Sequence, residues 1–355
     1  MEPGSKEGVS TKPMTKKHLV IVGNPVPEDW EFQRGLQQET GQEWQVMRWC
    51  INEYTGLKKY TRYLKYVFYP FYLIAVRNRY EKIISWEQFF GLVMAFYMRV
   101  LHIKTCPPVD VMTFIYRPKK GWVGKIYYRF MHTAVTSPYI RKIYVFGKSE
   151  IDHYVELFGV PKEKFSSELL GIADLAPEIE ARPKVREEHF YLSAGRSNRD
   201  YDFLRSAWAG QRAPLCIVCD VETAEDTPAI HYEKNCHGNE YLRLLADSYA
   251  VIVPLLSEQF SSGQLVVLQA AMLGKPVIVT QNDTVRDYVD DGETGFIIPK
   301  TEQALLQALH QLDDPVCYAR MCKNARRKFE QCFSLYELGC RVGDQQKAEE
   351  TADMS

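Results

Sequence analysis

The chain has 355 residues, which is long enough for two domains of ordinary size. Its 44 Lys and Arg residues nearly balance its 45 Asp and Glu residues, so the overall charge gives no reason to expect nucleic-acid binding. Nine cysteines are scattered without a disulfide framework, and an odd number leaves at least one unpaired. This cysteine usage favours reduced thiols and a cytoplasmic location.

The first stretch of the chain, residues 1–14, is polar and is predicted to be a disordered extension, since it lacks the apolar core of a signal peptide. No later segment reaches the roughly 20 apolar residues that a membrane-spanning helix needs. The segment 58–82 instead mixes Lys and Arg with many aromatic residues. Two interpretations stay open for it: a helix lying on an anionic membrane surface, and a partly buried amphipathic helix with a solvated basic face.

The first half of the chain, residues 15–172, alternates short apolar runs with longer helical patterns. This alternation is typical of an α/β domain with a parallel sheet. Five runs are predicted to be strands: 18–23, 43–49, 82–86, 110–116 and 142–147. Helical patterns lie between them, including 91–102 and 151–159.

The alternation restarts after a polar, proline-marked stretch, residues 173–189, which we interpret as an interdomain linker. In the second domain, residues 190–335, strands are predicted at 190–195, 215–220, 250–255, 276–280 and 295–299. Helices are predicted at 302–312 and 315–331, and residues 336–355 are expected to be a helix end and a disordered tail. The predicted fold is therefore α/β, with two doubly wound Rossmann-like domains facing a central cleft.

One polar corner of the second domain joins a buried strand to a helix that starts near residue 264. Ser261 or Ser262 suits the helix N-cap, and Gly263 allows another molecule to approach the backbone. The amides of Gly263, Gln264 and Leu265 would then point out of the positive end of the helix, where a phosphate fits. Plain helix capping is the alternative interpretation.

A second corner has the sequence SAGRSNRD, in which a strand runs into Gly195, followed by Arg196 and Arg199. Arginines at the carboxyl end of a parallel sheet suit a diphosphate clamp, because a guanidinium can bind phosphate oxygens in a bidentate manner. A solvated turn with surface arginines is the alternative. If both corners are real, they border the same crevice.

Further motifs follow these corners in order, namely A-M-x-G-K-P-V-I at 271–278 and V-x-D-G-x-T-G at 289–295. Together the motifs resemble the donor-binding half of GT-B glycosyltransferases, nearest to the retaining glycosyltransferase family 4. The resemblance implies a donor-binding C-terminal domain and an acceptor-binding N-terminal domain. The N-terminal half fits the GT-B fold only by its alternation of elements.

The resemblance also implies roles for individual residues. Arg196 would bind the donor diphosphate, Arg199 would stand in for a lysine of the family, and the Gly263, Gln264 and Leu265 amides would hold the distal phosphate. Donor-bound members use two glutamates separated by seven residues, and here those positions carry Ser261 and Gln269. Gln269 still offers an acceptor and a donor to ribose hydroxyls. Glu258 is a candidate replacement for the sugar-contacting glutamate.

The implied activity is transfer of a sugar from a nucleotide-sugar to a hydroxyl acceptor, with retention of configuration and without a metal or another cofactor. The leaving diphosphate would take the acceptor proton. The basic aromatic segment suggests a lipid-linked acceptor, a peripheral location on the inner face of the cell membrane, and a role in surface polysaccharide or glycolipid assembly. The alternative is a catalytically silent sugar-nucleotide-binding subunit that supports a partner enzyme.

Several other polar residues have weaker claims to a function. Gly23 and Asn24 follow the first predicted strand, and Glu87 and Arg117 follow later ones, so each is a candidate for the acceptor side of the cleft. The acidic pair of Asp200 and Asp202 fits a helix start better than a metal site. Cys216 and Cys219 are predicted on opposite faces of a strand, and His231 and His237 are predicted to be solvated.

Overall fold

The computed structural model describes residues 17–49, 59–210, 213–220, 225–257, 262–282 and 284–354. These residues form two six-stranded sheets of parallel strands, as the pairing of β1 with β2, of β7 with β8 and of β10 with β11 shows. Helices connect the strands, so the predicted α/β class with two Rossmann-like sheets is confirmed. Within the described residues, no helix is both long and apolar enough to cross a bilayer.

The first sheet has the strand order β2-β1-β3-β4-β5-β6. Its strands are β1 (Lys17–Val22), β2 (Trp44–Arg48), β3 (Tyr80–Ser85), β4 (Val109–Val111), β5 (Ile140–Val145) and β6 (Phe165–Ser167). The central position of β1 explains its apolar run, since Val20 and Ile21 are fully buried. All five predicted strands are present, although β4 is shorter than predicted. β6 was missed because three residues, two of them serines, carry almost no strand signal.

Five helices accompany this sheet: α1 (Glu31–Thr40), α2 (Lys59–Val76), α3 (Gln88–Val100), α4 (Gly121–Val135) and α5 (Ser149–Phe158). α3 packs against both α2 and α4. Consequently α3 is largely buried, whereas α2 and α4 each keep one face in solvent. Large apolar side chains are exposed on those faces, namely Tyr63, Leu64, Val67, Phe68, Phe71 and Tyr72 on α2, and Trp122, Val123 and Ile126 on α4.

The second sheet has the order β12-β11-β10-β7-β8-β9. Its strands are β7 (Tyr191–Ala194), β8 (Leu215–Val218), β9 (Ile230–Glu233), β10 (Val251–Val253), β11 (Val277–Thr280) and β12 (Gly295–Ile298). All five predicted strands are confirmed. β9 was not predicted, because it is an edge strand whose polar His231 and Glu233 alternate with the buried Ile230 and Tyr232.

Apolar cores cover both faces of the second sheet. Leu192 of β7 belongs to one core and Tyr191 to the other, as strand alternation requires. The helices of this half are α6 (Ala176–Glu180), α7 (Tyr201–Trp208), α8 (Gly238–Asp247), α9 (Gln264–Met272), α10 (Glu302–Leu312), α11 (Pro315–Lys328) and α12 (Leu335–Met354). The short helix α6 lies inside the stretch that was interpreted as a linker.

The C-terminal segment differs from its prediction as a disordered tail, since α12 continues to Met354. It packs closely on α1, because a Cβ at Gly35 would lie 2.1 Å from the Tyr336 carbonyl oxygen and one at Gly339 would lie 2.3 Å from that of Phe32. The sequence contains these glycines, but it does not reveal which helix they face. Tertiary packing therefore orders a segment whose composition alone favours disorder.

The chain divides into two compact units. One contains the residues up to Val26, Gln42–Met112 and Tyr116–Lys142, and the other contains Pro27–Gly41, Thr113–Ile115 and Ile143–Ser355. The pairing of α1 with α12 explains why an N-terminal helix belongs to the second unit. The predicted domain boundaries at 172 and 190 stay a prediction, because compactness does not define where a domain ends.

Candidate donor-binding site

The Gly-Arg turn follows β7 and depends on the glycine. Gly195 has a φ of 113°, which lies in the left-handed region that favours glycine. A Cβ at this position would also lie 2.8 Å from Nη2 of Arg199. The Tyr201 hydroxyl donates a hydrogen bond of 2.7 Å to the Gly195 carbonyl oxygen and holds the turn from the following helix.

Arg199 is bound to the same turn. Its Nε donates to the Ala194 carbonyl oxygen at 2.9 Å, and its Nη1 donates to that of Ser197 at 2.9 Å. Burial lowers the pKa of Arg199, but a guanidinium keeps its charge in proteins. The result is a fixed, half-buried cation.

Arg196, the other predicted clamp residue, is exposed at the tip of the turn. Within the described residues, no hydrogen bond or ion pair holds its guanidinium, in contrast to that of Arg199. The two arginines therefore differ in kind: one is built into the turn, and the other is available to a ligand that arrives from solvent.

The start of α9 differs from its prediction. Gly263 is the N-cap, with a φ of 89°, and no side chain in the described residues caps the helix. Ser262 is one residue too early to cap, because the left-handed Gly263 stands between it and the first helical residue. The Ser262 hydroxyl oxygen is buried and forms no hydrogen bond within the described residues. Ser261 and Glu258 lie outside the described residues.

The missing cap matters for anion binding. The first amides of a helix have no partner inside it, and the macrodipole gives this end a partial positive charge. Amides at Gly263, Gln264 and Leu265 belong to this group, and the Leu265 side chain is exposed. Gln269, further along α9, is half-buried. A phosphate is the ligand that this arrangement suits.

The two corners meet at Arg199. A Cβ at Gly263 would lie 3.8 Å from the same Nη2 nitrogen that stands close to Gly195. A bridge between Arg199 and Leu255, and a bond from the Asp200 amide to the Pro254 carbonyl oxygen at 2.9 Å, tie the turn to the end of β10. The structure thus places the N-terminus of α9 beside the guanidinium of Arg199.

Asn198 fixes the loop after β10 and was missed by the sequence analysis. Its Oδ1 accepts from the Ser257 amide at 2.9 Å, and its Nδ2 donates to the Ser257 carbonyl oxygen at 3.1 Å. Asn198 has a φ of 55°, a conformation that asparagine tolerates better than most residues. The sequence could have indicated Asn198 as a turn residue, because asparagine tolerates this conformation. It could not have indicated which loop Asn198 binds.

The acidic pair next to the turn has structural roles. Asp200 accepts from the Phe203 amide at 3.0 Å as the N-cap of α7 and pairs with Lys300 at 2.9 Å. Burial opposes ionisation of Asp200, but Lys300 and the Phe203 amide outweigh it and hold the pKa below its usual range. Asp202 pairs with Arg205 on the surface. The described residues contain no cluster of three His, Cys, Asp or Glu residues suited to a metal.

The other residues weighed from the sequence are placed as follows. Cys216 and Cys219 belong to the cores on opposite faces of the sheet, and both are free thiols. His231 is not simply solvated, since its Nδ1 lies 2.6 Å from Asp226 and its Nε2 lies 3.2 Å from Glu233. His237 lies 3.4 Å from an Asp220 oxygen and is largely exposed.

Three of the four acceptor-side candidates come together in the first unit. Glu87 accepts from the Gly23 amide at 2.6 Å and from Nδ2 of Asn24 at 3.0 Å, so its carboxylate fixes the turn after β1. Burial raises the pKa of Glu87, and hydrogen bonds from Gly23 and Asn24 oppose part of that rise. Arg117, the fourth, is exposed and is not joined to them by any reported contact.

Comparisons with known proteins match one part of the chain by sequence and nearly all of it by fold. Residues 192–314 match the sequence profile of the family described as Glycosyl transferases group 1. A comparison with curated protein sequences finds no match.

Solved structures resemble nearly the whole chain. Sucrose-phosphate synthase from Thermosynechococcus elongatus is 15% identical with a TM-score of 0.65, over 95% of this chain and 100% of that chain. HepE from Anabaena in complex with UDP-glucose is 14% identical with a TM-score of 0.59, over 95% and 99%. WaaG, a glycosyltransferase involved in lipopolysaccharide biosynthesis, is 14% identical with a TM-score of 0.56, over 92% and 98%.

The fold is therefore the GT-B fold. The match of residues 192–314 to the Glycosyl transferases group 1 profile agrees with the resemblance to family 4.

Proposed function

We propose that the protein transfers a sugar from a nucleotide-sugar to a hydroxyl acceptor, with retention of configuration and without a metal or other cofactor. The observation that carries the proposal is the uncapped start of α9 beside the guanidinium of Arg199. These groups suit the diphosphate of a nucleotide-sugar, and HepE, which shares the fold, was solved with UDP-glucose.

The chain would assist the reaction by stabilising the departing diphosphate. Amides of Gly263, Gln264 and Leu265 would face the distal phosphate, and Arg199 would lie beneath the diphosphate. Arg196 would close over it from the solvent side. Such donors are effective because they are positioned before charge develops, so little reorganisation is needed in the transition state. The diphosphate would then accept the proton of the acceptor hydroxyl.

The donor pocket would be a modified one. Gln269 would contact the ribose hydroxyls through its amide, more weakly than a carboxylate would. Ser261 is too short to replace a glutamate at the sugar, and Glu258 is the nearby carboxylate on the chain. These substitutions motivate a second candidate function, a silent sugar-nucleotide-binding subunit that supports a partner enzyme.

We also propose a lipid-linked or membrane-proximal acceptor. Both α2 and α4 expose apolar side chains, and exposed basic residues accompany those of α4, namely Lys119, Lys120, Lys125 and Arg129. Apolar and aromatic side chains flanked by lysine and arginine suit an anionic lipid surface. The protein would act on the inner face of the cell membrane, in surface polysaccharide or glycolipid assembly.

Titration with paired ligands tests the proposed donor. UDP and UDP-glucose, GDP and GDP-mannose, and ADP and ADP-glucose would each be titrated into the full chain by calorimetry, followed by an assay of donor hydrolysis. Binding with slow hydrolysis supports the transferase, and binding without any turnover supports the silent subunit. Failure to bind any member of the panel would contradict both.

A further inference from the structure

Glu150 has an unusual environment for a surface glutamate. It lies in the first turn of α5, where an acidic residue ordinarily complements the helix dipole from the solvent. Asp152, in the same turn, is such a solvated residue, since its side chain is exposed and pairs with Lys162 at 2.7 Å. Glu150 is half-buried, and burial raises its pKa to about 7 with no hydrogen bond or counter-charge from the described residues to offset it. A half-buried acid without a protein partner is costly, and hydrogen-bond donors on a ligand would offset that cost.

The carboxylate faces the loop that follows β11. A Cβ built at Gly147 would lie 3.3 Å from Oε2 of Glu150 and 2.9 Å from Cγ2 of Thr284, so both atoms border the same point. The residue before Gly147 is fixed by a hydrogen bond, since the Tyr288 hydroxyl donates to the Phe146 carbonyl oxygen at 2.9 Å. The Glu150 carboxylate and the Thr284 methyl group therefore lie close to each other beside Gly147.

That loop is joined to the donor-binding site by hydrogen bonds. The amide and hydroxyl of Thr284 donate to Oδ1 of Asn282 at 2.9 and 2.7 Å. Nδ2 of Asn282 donates to the Ser257 carbonyl oxygen at 3.2 Å, the same oxygen that Asn198 binds. Glu150 therefore borders one continuous network that ends at the Gly-Arg turn, and all of these residues belong to the same compact unit.

We propose that Glu150 binds hydroxyl groups of the sugar that the donor carries. A carboxylate accepts strong, charge-assisted hydrogen bonds, and its two oxygens match a pair of neighbouring hydroxyls. An uncharged sugar diol also fits a half-buried acid, because it supplies donors without bringing a further negative charge. This inference rests on the proposed nucleotide-sugar donor and adds to it a residue that the family resemblance did not assign.

The test compares each nucleoside diphosphate with its sugar conjugate. Glu150→Gln keeps the shape of the side chain, and Glu156→Gln, on the exposed face of the same helix, is the matched control. We expect Glu150→Gln to leave the Kd of the free nucleoside diphosphate unchanged and to raise that of the sugar conjugate roughly ten- to hundredfold, as for a lost hydrogen bond to a charged group. Glu156→Gln should bind both as the wild type does.

Other outcomes overturn the inference in distinguishable ways. If Glu150→Gln binds the sugar conjugate as tightly as the wild type, Glu150 does not contact the sugar. If it loses both ligands alike, Glu150 maintains the site and does not recognise the sugar. If the wild type binds no pair of the panel, the proposed function fails first, and the role of Glu150 fails with it.

Discussion

Nη2 of Arg199 lies 3.8 Å from the point at which Gly263 would carry a Cβ atom. The same nitrogen stands 2.8 Å from the corresponding point at Gly195. The Arg199 guanidinium therefore lies next to two glycines, which follow different strands of the sheet. A Cβ atom at either glycine would crowd its neighbours and require a left-handed backbone. The absence of side chains allows the guanidinium and the helix N-terminus to lie close together, an arrangement that suits a small anion.

Replacement of Gly263 by alanine should damage both stability and anion binding. The new Cβ would adopt a φ of 89° and lie 3.1 Å from Cγ1 of Val253. The left-handed backbone costs about 1 kcal/mol for a non-glycine residue. Gly210→Ala is a matched control, because Gly210 has the same φ and nothing within 4 Å of its Cβ position. Denaturant unfolding should show a loss for both variants, and only Gly263→Ala should also weaken diphosphate binding. Equal binding by the two variants would remove Gly263 from the site.

Alanine substitutions of Arg199 and Arg196 should have different effects on stability and turnover. Arg199→Ala leaves the carbonyl oxygens of Ala194 and Ser197 without their partner, so we expect a loss of about 1–3 kcal/mol in unfolding free energy together with lost turnover. Arg196→Ala should reduce turnover by about a hundredfold with unchanged stability, as for a lost oxyanion donor. Lys323→Ala, which removes an exposed positive charge from α11, is the control for net charge. An Arg196→Ala variant with normal turnover would exclude Arg196 from the mechanism.

Glu150 should make stability depend on pH. Burial raises its pKa from the ordinary 4.5 to about 7, so the folded state holds this proton more tightly than the unfolded chain. The contribution of the protonated Glu150 to the free energy of unfolding is fully present below about pH 4.5 and is lost as the pH rises towards 7. The neighbouring Tyr288 does not ionise in this range, because burial raises its pKa above the usual value.

The comparison with Glu150→Gln isolates this effect from all other titrations. Between pH 4.5 and 7 the wild type should lose about 1–3 kcal/mol of unfolding free energy relative to the variant. Denaturant titrations at several pH values measure the difference. A difference that stays constant over this range would contradict the burial of an unpaired acid.

Anionic vesicles should bind the protein through α2 and α4. Trp122→Ser and Phe68→Ser each remove an exposed aromatic residue, which should lower the partition coefficient by roughly tenfold, the value of one buried aromatic side chain. Val316→Ser removes an equally exposed apolar residue from α11 and is the control. Sedimentation with phosphatidylglycerol vesicles, at low and high salt, measures binding. If vesicles of neutral lipid bind equally well, or none bind, the acceptor surface is not anionic membrane.

Much of the fold could be read from the sequence because most strands are buried on both faces and therefore appear as apolar runs. Val20 and Ile252 are typical of such runs. β9 was not predicted, because the polar residues His231 and Glu233 make the sequence of this edge strand resemble that of a loop. The helical C-terminal segment α12 was not predicted, because it is ordered by packing of Gly339 against α1, and the sequence does not reveal that contact. Buried strands can be predicted from the local sequence pattern, whereas an edge strand and a helix ordered by packing depend on tertiary contacts.

The candidate site shows the same division. Gly195 and Gly263 could be predicted, since each marks a strand-to-helix corner with a special backbone. Asn198 and Glu150 could not, because one binds a loop some sixty residues away and the other is defined by the burial of its carboxylate. The predicted serine cap failed for a local reason, namely that a left-handed Gly263 occupies the cap position itself.

The most direct test is to observe the amides themselves. The full chain, labelled with ¹⁵N-glycine, would be titrated with the nucleoside diphosphate that binds best, and the Gly263 signal would be assigned from its absence in Gly263→Ala. The account predicts that the amide resonances of Gly263 and Gly195 shift with the ligand concentration while that of Gly210 stays in place. Saturable binding that leaves the Gly263 and Gly195 amides unshifted would contradict the diphosphate site.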